Sequence, residues 1–127
     1  MTVGLSTVNM ANAMLNGVRN TSFAIAATYI QLHVGDPGAS GTANVSAVTT
    51  RQSATFNAAS SGALALTAAP SAWSMTTSET ISYISVWSAS TSGTFYWSAA
   101  LSVSKTVANG DTLTLNTCGL SLAPLAA

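Results

Sequence analysis

His33, Asp36 and Arg51 are the polar side chains that stand near enough in the sequence to raise a chemical question. An imidazole, a carboxylate and a guanidinium can in principle relay a proton, hold a metal or bind an anion. Their spacing argues against all three. His33 and Asp36 are separated by Gly35 and by the end of a strand candidate, and no third ligand stands beside them, so they lack metal-ligand spacing. The serines lie in no Gly-x-Ser-x-Gly elbow. GDPGASG (35–41) lacks the lysine of a phosphate-binding loop. The carboxylates Asp36, Glu79 and Asp111 fall in separate turns and make no glycosidase-type pair. We therefore expect no catalytic, cofactor-binding or metal-ligating residue, no cofactor, and no enzyme. Asp36 before Pro37 suits an Asx turn, in which the carboxylate accepts backbone N–H groups. Arg51 is expected to close the loop by pairing with Asp36. His33, Asp36, Pro37, Asn44 and Arg51 are thus read as structural residues of one loop.

Charge is scarce throughout. Arg19, Arg51, Lys105, Asp36, Glu79 and Asp111 make up 5% of the chain, and the formal net charge is zero. Soluble domains carry about a quarter charged residues. A free-standing protein without net charge has little protection against association. Such a surface suits a part packed among copies of itself and other proteins. Three scattered cations make no basic stripe, so neither nucleic acid nor a membrane surface is an expected partner. The apolar run 23–30 is interrupted by Thr28 and is far below the ~20 residues of a membrane span. MTVGLSTVNM at the start lacks a basic region, so no secretory signal is expected. Cys118 is the only cysteine and has no neighbouring base, which reads as a packed, inert thiol.

The elements that would position these residues are mostly strands. One domain over 1–127 is expected, with 1–22 as an N-terminal arm and helix. Ser6 or Thr7 can cap that helix; Leu5, Val8, Met14, Leu15 and Val18 recur near helical spacing; Gly17 is a plausible stop. The helix either packs on its own sheet or reaches a neighbouring subunit, with Leu5 and Met14 as possible interface residues. TYIQLHV (28–34) alternates Ile30, Leu32 and Val34 against Tyr29, Gln31 and His33, and the GDPG turn ends it. Further strand candidates are 51–56, 63–67, 71–75, 81–87, 94–101, 104–107, 112–116 and 120–122. Asn109-Gly110 between alternating segments is the strongest hairpin signal. This spacing predicts an all-β, antiparallel, jelly-roll-like β-sandwich of about eight short strands with one short N-terminal helix. Phe95, Tyr96 and Trp97 must alternate across a strand; if Phe95 and Trp97 face the core, Tyr96 faces outward or into an interface.

Several segments also resemble a known group of proteins. YIQLHVGDPG (29–38), GTAN (41–44) and TRQ (50–52) resemble small virion proteins of tailed phages, especially phages of actinobacteria. YISVW (83–87), Gly93, FYW (95–97), Leu101, Lys105, Gly110-Asp111 and Gly119-Leu120 agree, over roughly 5–122. Proteins of this kind are labelled tail-fibre, minor tail or minor capsid proteins. The resemblance implies a structural part of a phage particle and no catalytic residues. The leading expectation is a decoration or minor capsid protein that oligomerises and reinforces the major capsid protein on the shell exterior. The helix and the 35–48 loop are the expected contacts. The chain ends five residues after its last strand candidate, which argues against a separate receptor-binding domain. The alternative is a fibre or minor tail protein, with Tyr96 touching a host glycan.

Overall fold

The structure is a computed structural model that describes residues 3–123 and 126. Eight antiparallel strands follow a helical N-terminal segment: β1 (Thr28–His33), β2 (Gln52–Ala54), β3 (Ala63–Ala65), β4 (Trp73–Ser74), β5 (Glu79–Trp87), β6 (Phe95–Val107), β7 (Thr112–Leu113) and β8 (Gly119–Ser121). β2-β1-β5-β6 form the main sheet; β3-β8 and β4-β7 are short ribbons. The all-β antiparallel architecture expected from the strand spacing is the one observed. Two strand candidates, 94–101 and 104–107, merge into the 13-residue β6. Ile81 pairs with Lys105 and Tyr83 with Ala100, so β6 bulges out between those pairs.

One face of the sheet carries the apolar core. Ile30 and Leu32 pair with Val86 and Ile84, and Trp97 pairs with Val86. They cluster with Ile81, Trp73, Met75 and Met10; Leu66, Leu113, Leu115 and Leu120 pack on from the ribbon side. Complete burial of a side chain such as Ile30 (0% exposed) stabilises by about 1.5–3 kcal/mol.

The other face is buried too, contrary to a simple inside/outside reading of β1. Gln31 and His33 are buried, whereas Val34, placed with the apolar set by its spacing, is 40% exposed. The strand has already ended at His33, so Val34 no longer follows the alternation. Residues 35–48 return to β1: Val34 N–H donates to Asn44 O and Ser46 N–H to Leu32 O beside the strand, and Ala43 O lies 2.8 Å from the His33 ring on this face.

Aromatic alternation also breaks. Trp87 pairs with Phe95 and Val86 with Trp97, with a register shift between these pairs. Phe95 therefore packs on Trp87 on the loop side, ring centroids 5.4 Å apart. Trp97 joins the core on the opposite side, 5.9 Å from Phe56. Among the described residues the buried Trp97 indole nitrogen has no hydrogen-bond partner. Asn109-Gly110 makes a turn, with Asp111 N–H donating to Ala108 O, but no hairpin. β6 pairs with β5 while β7 pairs with β4, so the two flanking strands enter different sheets.

The N-terminal segment is helical over 7–19: a π turn (Thr7–Ala11), α1 (Asn12–Asn16) and a 3-10 turn (Gly17–Arg19). Ser6 caps it, its hydroxyl accepting from Asn9 N–H at 3.3 Å. Gly17 remains helical and the stop lies at Asn20, left-handed at φ 61°. The expected apolar face is revised as well. Met10 is buried and Met14 half-buried, whereas Val8, Leu15 and Val18 are 74%, 68% and 89% exposed. Residues 1–2 of the expected arm lie outside the described residues. Among the described residues no helix is long and apolar enough to cross a membrane.

Candidate functional site

The residues singled out around the GDPG turn converge on the loop side of the sheet. Asp36 makes the expected Asx turn, its Oδ1 accepting Gly38 N–H at 2.8 Å. Pro37 is fully buried beneath the loop. Asn44, at φ 52°, donates from Nδ2 to Asp36 O at 2.8 Å and so locks the two ends of the turn.

His33 reaches up into this loop from β1. Its Nδ1 lies 2.8 Å from Ala43 O and its Nε2 2.7 Å from Ser85 Oγ. Trp87 Nε1–H donates to the same Ser85 oxygen at 2.7 Å. One arrangement satisfies every atom: Ser85 gives its only proton to His33 Nε2, and His33 Nδ1–H donates to Ala43 O. That arrangement requires a neutral ring. Burial holds the His33 pKa below its ordinary 6.5; the Arg51 charge pushes the same way, against the backbone groups of Ala43 and Asn44.

Arg51 fastens a different loop from the one expected. Its Nε donates to Gln31 Oε1 at 3.1 Å, and its Nη1 to Ala89 O and Ser92 O at 3.0 and 2.6 Å. The guanidinium carbon sits 4.0 Å from the Trp87 ring centroid. Arg51 thus ties β1 to the turn between β5 and β6. A lysine cannot donate in this forked geometry or stack as a plane. Arg51→Lys is expected to lower unfolding stability by about 2 kcal/mol, read as a shifted urea midpoint with an unchanged slope.

Three fasteners have no local signature in the sequence. Glu79 accepts from the Ser46 hydroxyl and from Ala47 N–H (3.1 Å), pinning the far end of the loop. Ser85 and Trp87 complete the His33 chain. A signal for the latter exists at longer range: Tyr83, Ser85 and Trp87 recur at period two, like Gln31 and His33, so two polar-aromatic strand faces were available to meet. Four of the six charged side chains, Asp36, Arg51, Glu79 and Asp111, bind main-chain groups of this chain. Among the described residues no three His, Cys, Asp or Glu side chains come together as a metal site. Cys118 is half-buried, and burial pushes its thiol up to about 11. It is expected to alkylate more slowly than a free thiol at pH 8, and to reach the free-thiol rate in denaturant.

The expected interface residues separate. Leu5 and Met14 line one apolar cleft of about 350 Å³, together with Phe23, Leu64, Leu120 and Leu122. Tyr96 lies outside it, half-buried against the core, which leaves only part of its ring for stacking on a ligand.

The geometry describes a β body whose loops are fastened by side chains and whose helical arm is partly bare, and the comparisons give it a setting. No curated protein matches the chain significantly. A family described as "Podophage GP4 fiber I protein gp80" matches residues 4–123. That match points to a tail-fibre-like phage family, and not specifically to actinobacterial phages or to capsid decoration. The chain belongs to this podophage fibre protein family and is a structural protein of the phage particle.

Proposed function

We propose that the protein is a building block of a tail-associated phage fibre, acting by assembly and without catalysis. The match of residues 4–123 to a fibre family carries this reading. It reverses the order expected from the sequence: capsid-shell decoration has no support in this family, and the fibre alternative stands closer. The body suits such a part. Four of its six charged groups bind its own main chain, and its outer surface is uncharged enough to meet neighbours with little charge desolvation. Its partners under this reading are copies of itself and adjoining tail proteins, with no role for nucleic acid or membrane, and the major capsid protein gives way to them. Antibody labelling of purified virions, imaged by electron microscopy, tests the location. Label confined to the tail is the expected result. Uniform label over the capsid shell would overturn the fibre reading and restore decoration.

A further inference from the structure

The N-terminal segment is an added strand on the main sheet. Leu5 bridges Trp97 of β6; Ser6 N–H donates to Tyr96 O at 2.7 Å, and Ser98 N–H to Gly4 O at 2.9 Å. Asn9 Nδ2 donates to Phe95 O at 3.0 Å, and Met10 enters the core. The segment therefore occupies the outer edge of β6, which would otherwise present unpaired N–H and C=O groups.

Its tether to the body is of a different character. Residues 21–27 contain no helix or strand and are largely exposed between the Asn20 stop and β1. Fully extended, such a linker reaches roughly 23 Å at about 3.3 Å per residue. The helix it carries leaves Val8, Leu15 and Val18 bare, with Arg19 as its only charge.

We propose that this arm is exchanged between copies: residues 4–19 of one chain seat on β6 of a second copy. The seat selects this occupant, because the same segment already pairs with this edge. Exchange keeps the contacts that residues 4–19 make with β6 and gives up only those of the linker, where Ile25 packs on the core, so its intrinsic cost is small and high local concentration drives it. With no net charge, nothing in the long-range electrostatics opposes the approach of copies. The proposal goes beyond the fibre assignment and does not depend on where the particle carries the protein.

The Leu5–Trp97 register places Ser6 opposite Tyr96, at a separation that a disulfide between neighbouring strands can span. The full chain carrying both Ser6→Cys and Tyr96→Cys is expected to form this bond on oxidation, within a chain or between chains. Two singly substituted full chains, one Ser6→Cys and one Tyr96→Cys, are then unfolded together, refolded at high concentration and oxidised. The expected product is a covalent heterodimer whose bond joins positions 6 and 96, identified by peptide mass spectrometry. Cys118, with its thiol pushed up to about 11, interferes little near neutral pH. Bond formation in the double variant with no mixed heterodimer shows that each arm stays on its own body and overturns the proposal. Failure of the bond in the double variant also overturns it, since the seat itself would then be absent.

Discussion

Replacing Gly41 by alanine is expected to lower unfolding stability by about 3 kcal/mol, from a left-handed backbone cost of ~1–2 and an overpacking cost of ~1–3. Gly41 sits at φ 73° inside the loop that covers the polar face of the sheet. A β-carbon there would run into the Phe95 ring. The ring has little room to retreat, because it is held against Trp87, and Trp87 lies under the Arg51 guanidinium. Gly110→Ala separates the two contributions. Gly110 also has positive φ, at 92°, but a β-carbon there meets nothing within 4 Å. Its cost is expected to be the backbone one alone, about 1 kcal/mol. Equal urea-unfolding losses for the two variants would show that the Phe95 contact is not what demands glycine at position 41.

The second large effect belongs to His33. His33→Leu keeps the approximate volume but leaves the Ser85 hydroxyl and the Ala43 carbonyl without their partner, at an expected cost of about 3 kcal/mol. The same residue shapes acid stability. Its folded pKa lies below the ordinary 6.5, so the unfolded chain takes up the proton first as pH falls. The contribution of the neutral ring is therefore complete above about pH 6.5 and is lost progressively below it, at a slope of at most about 1.4 kcal/mol per pH unit. His33 is the only histidine, which makes the slope between pH 7 and 5 readable. Urea unfolding of the wild type across that range should show the decline, and His33→Leu should flatten it. An equal slope in both proteins would exclude His33 as its source.

Local chemistry was legible wherever it depended on one residue and its near neighbours. The Asp36 Asx turn, the Ser6 cap and the strand at 28–33 follow from what those side chains do to their own backbone. What a distant partner decides is not legible in this way. Alternation along β1 sets Ile30 and Leu32 on one face and Gln31 and His33 on the other, and nothing in the sequence shows that 35–48 returns to bury the second face as well. Phe95 and Trp97 were paired on one face because a bulge is a mismatch between two strands and leaves no mark in either one. Asn109-Gly110 turns the chain as its residues demand, yet its flanking strands find other partners.

From the sequence alone follow an antiparallel β architecture, a chain nearly without charge, and the turns that punctuate it. Composition and turn chemistry act locally, so they survive in any arrangement of the strands. Only the tertiary structure decided what the few charged side chains hold. It took Arg51 to the Trp87 ring and the 89–92 turn, gave Glu79 the far end of the loop, and buried Met10 while leaving Val8, Leu15 and Val18 bare. Those outcomes depend on which strands pair and in what register, and pairing energies are shared among residues far apart in the chain.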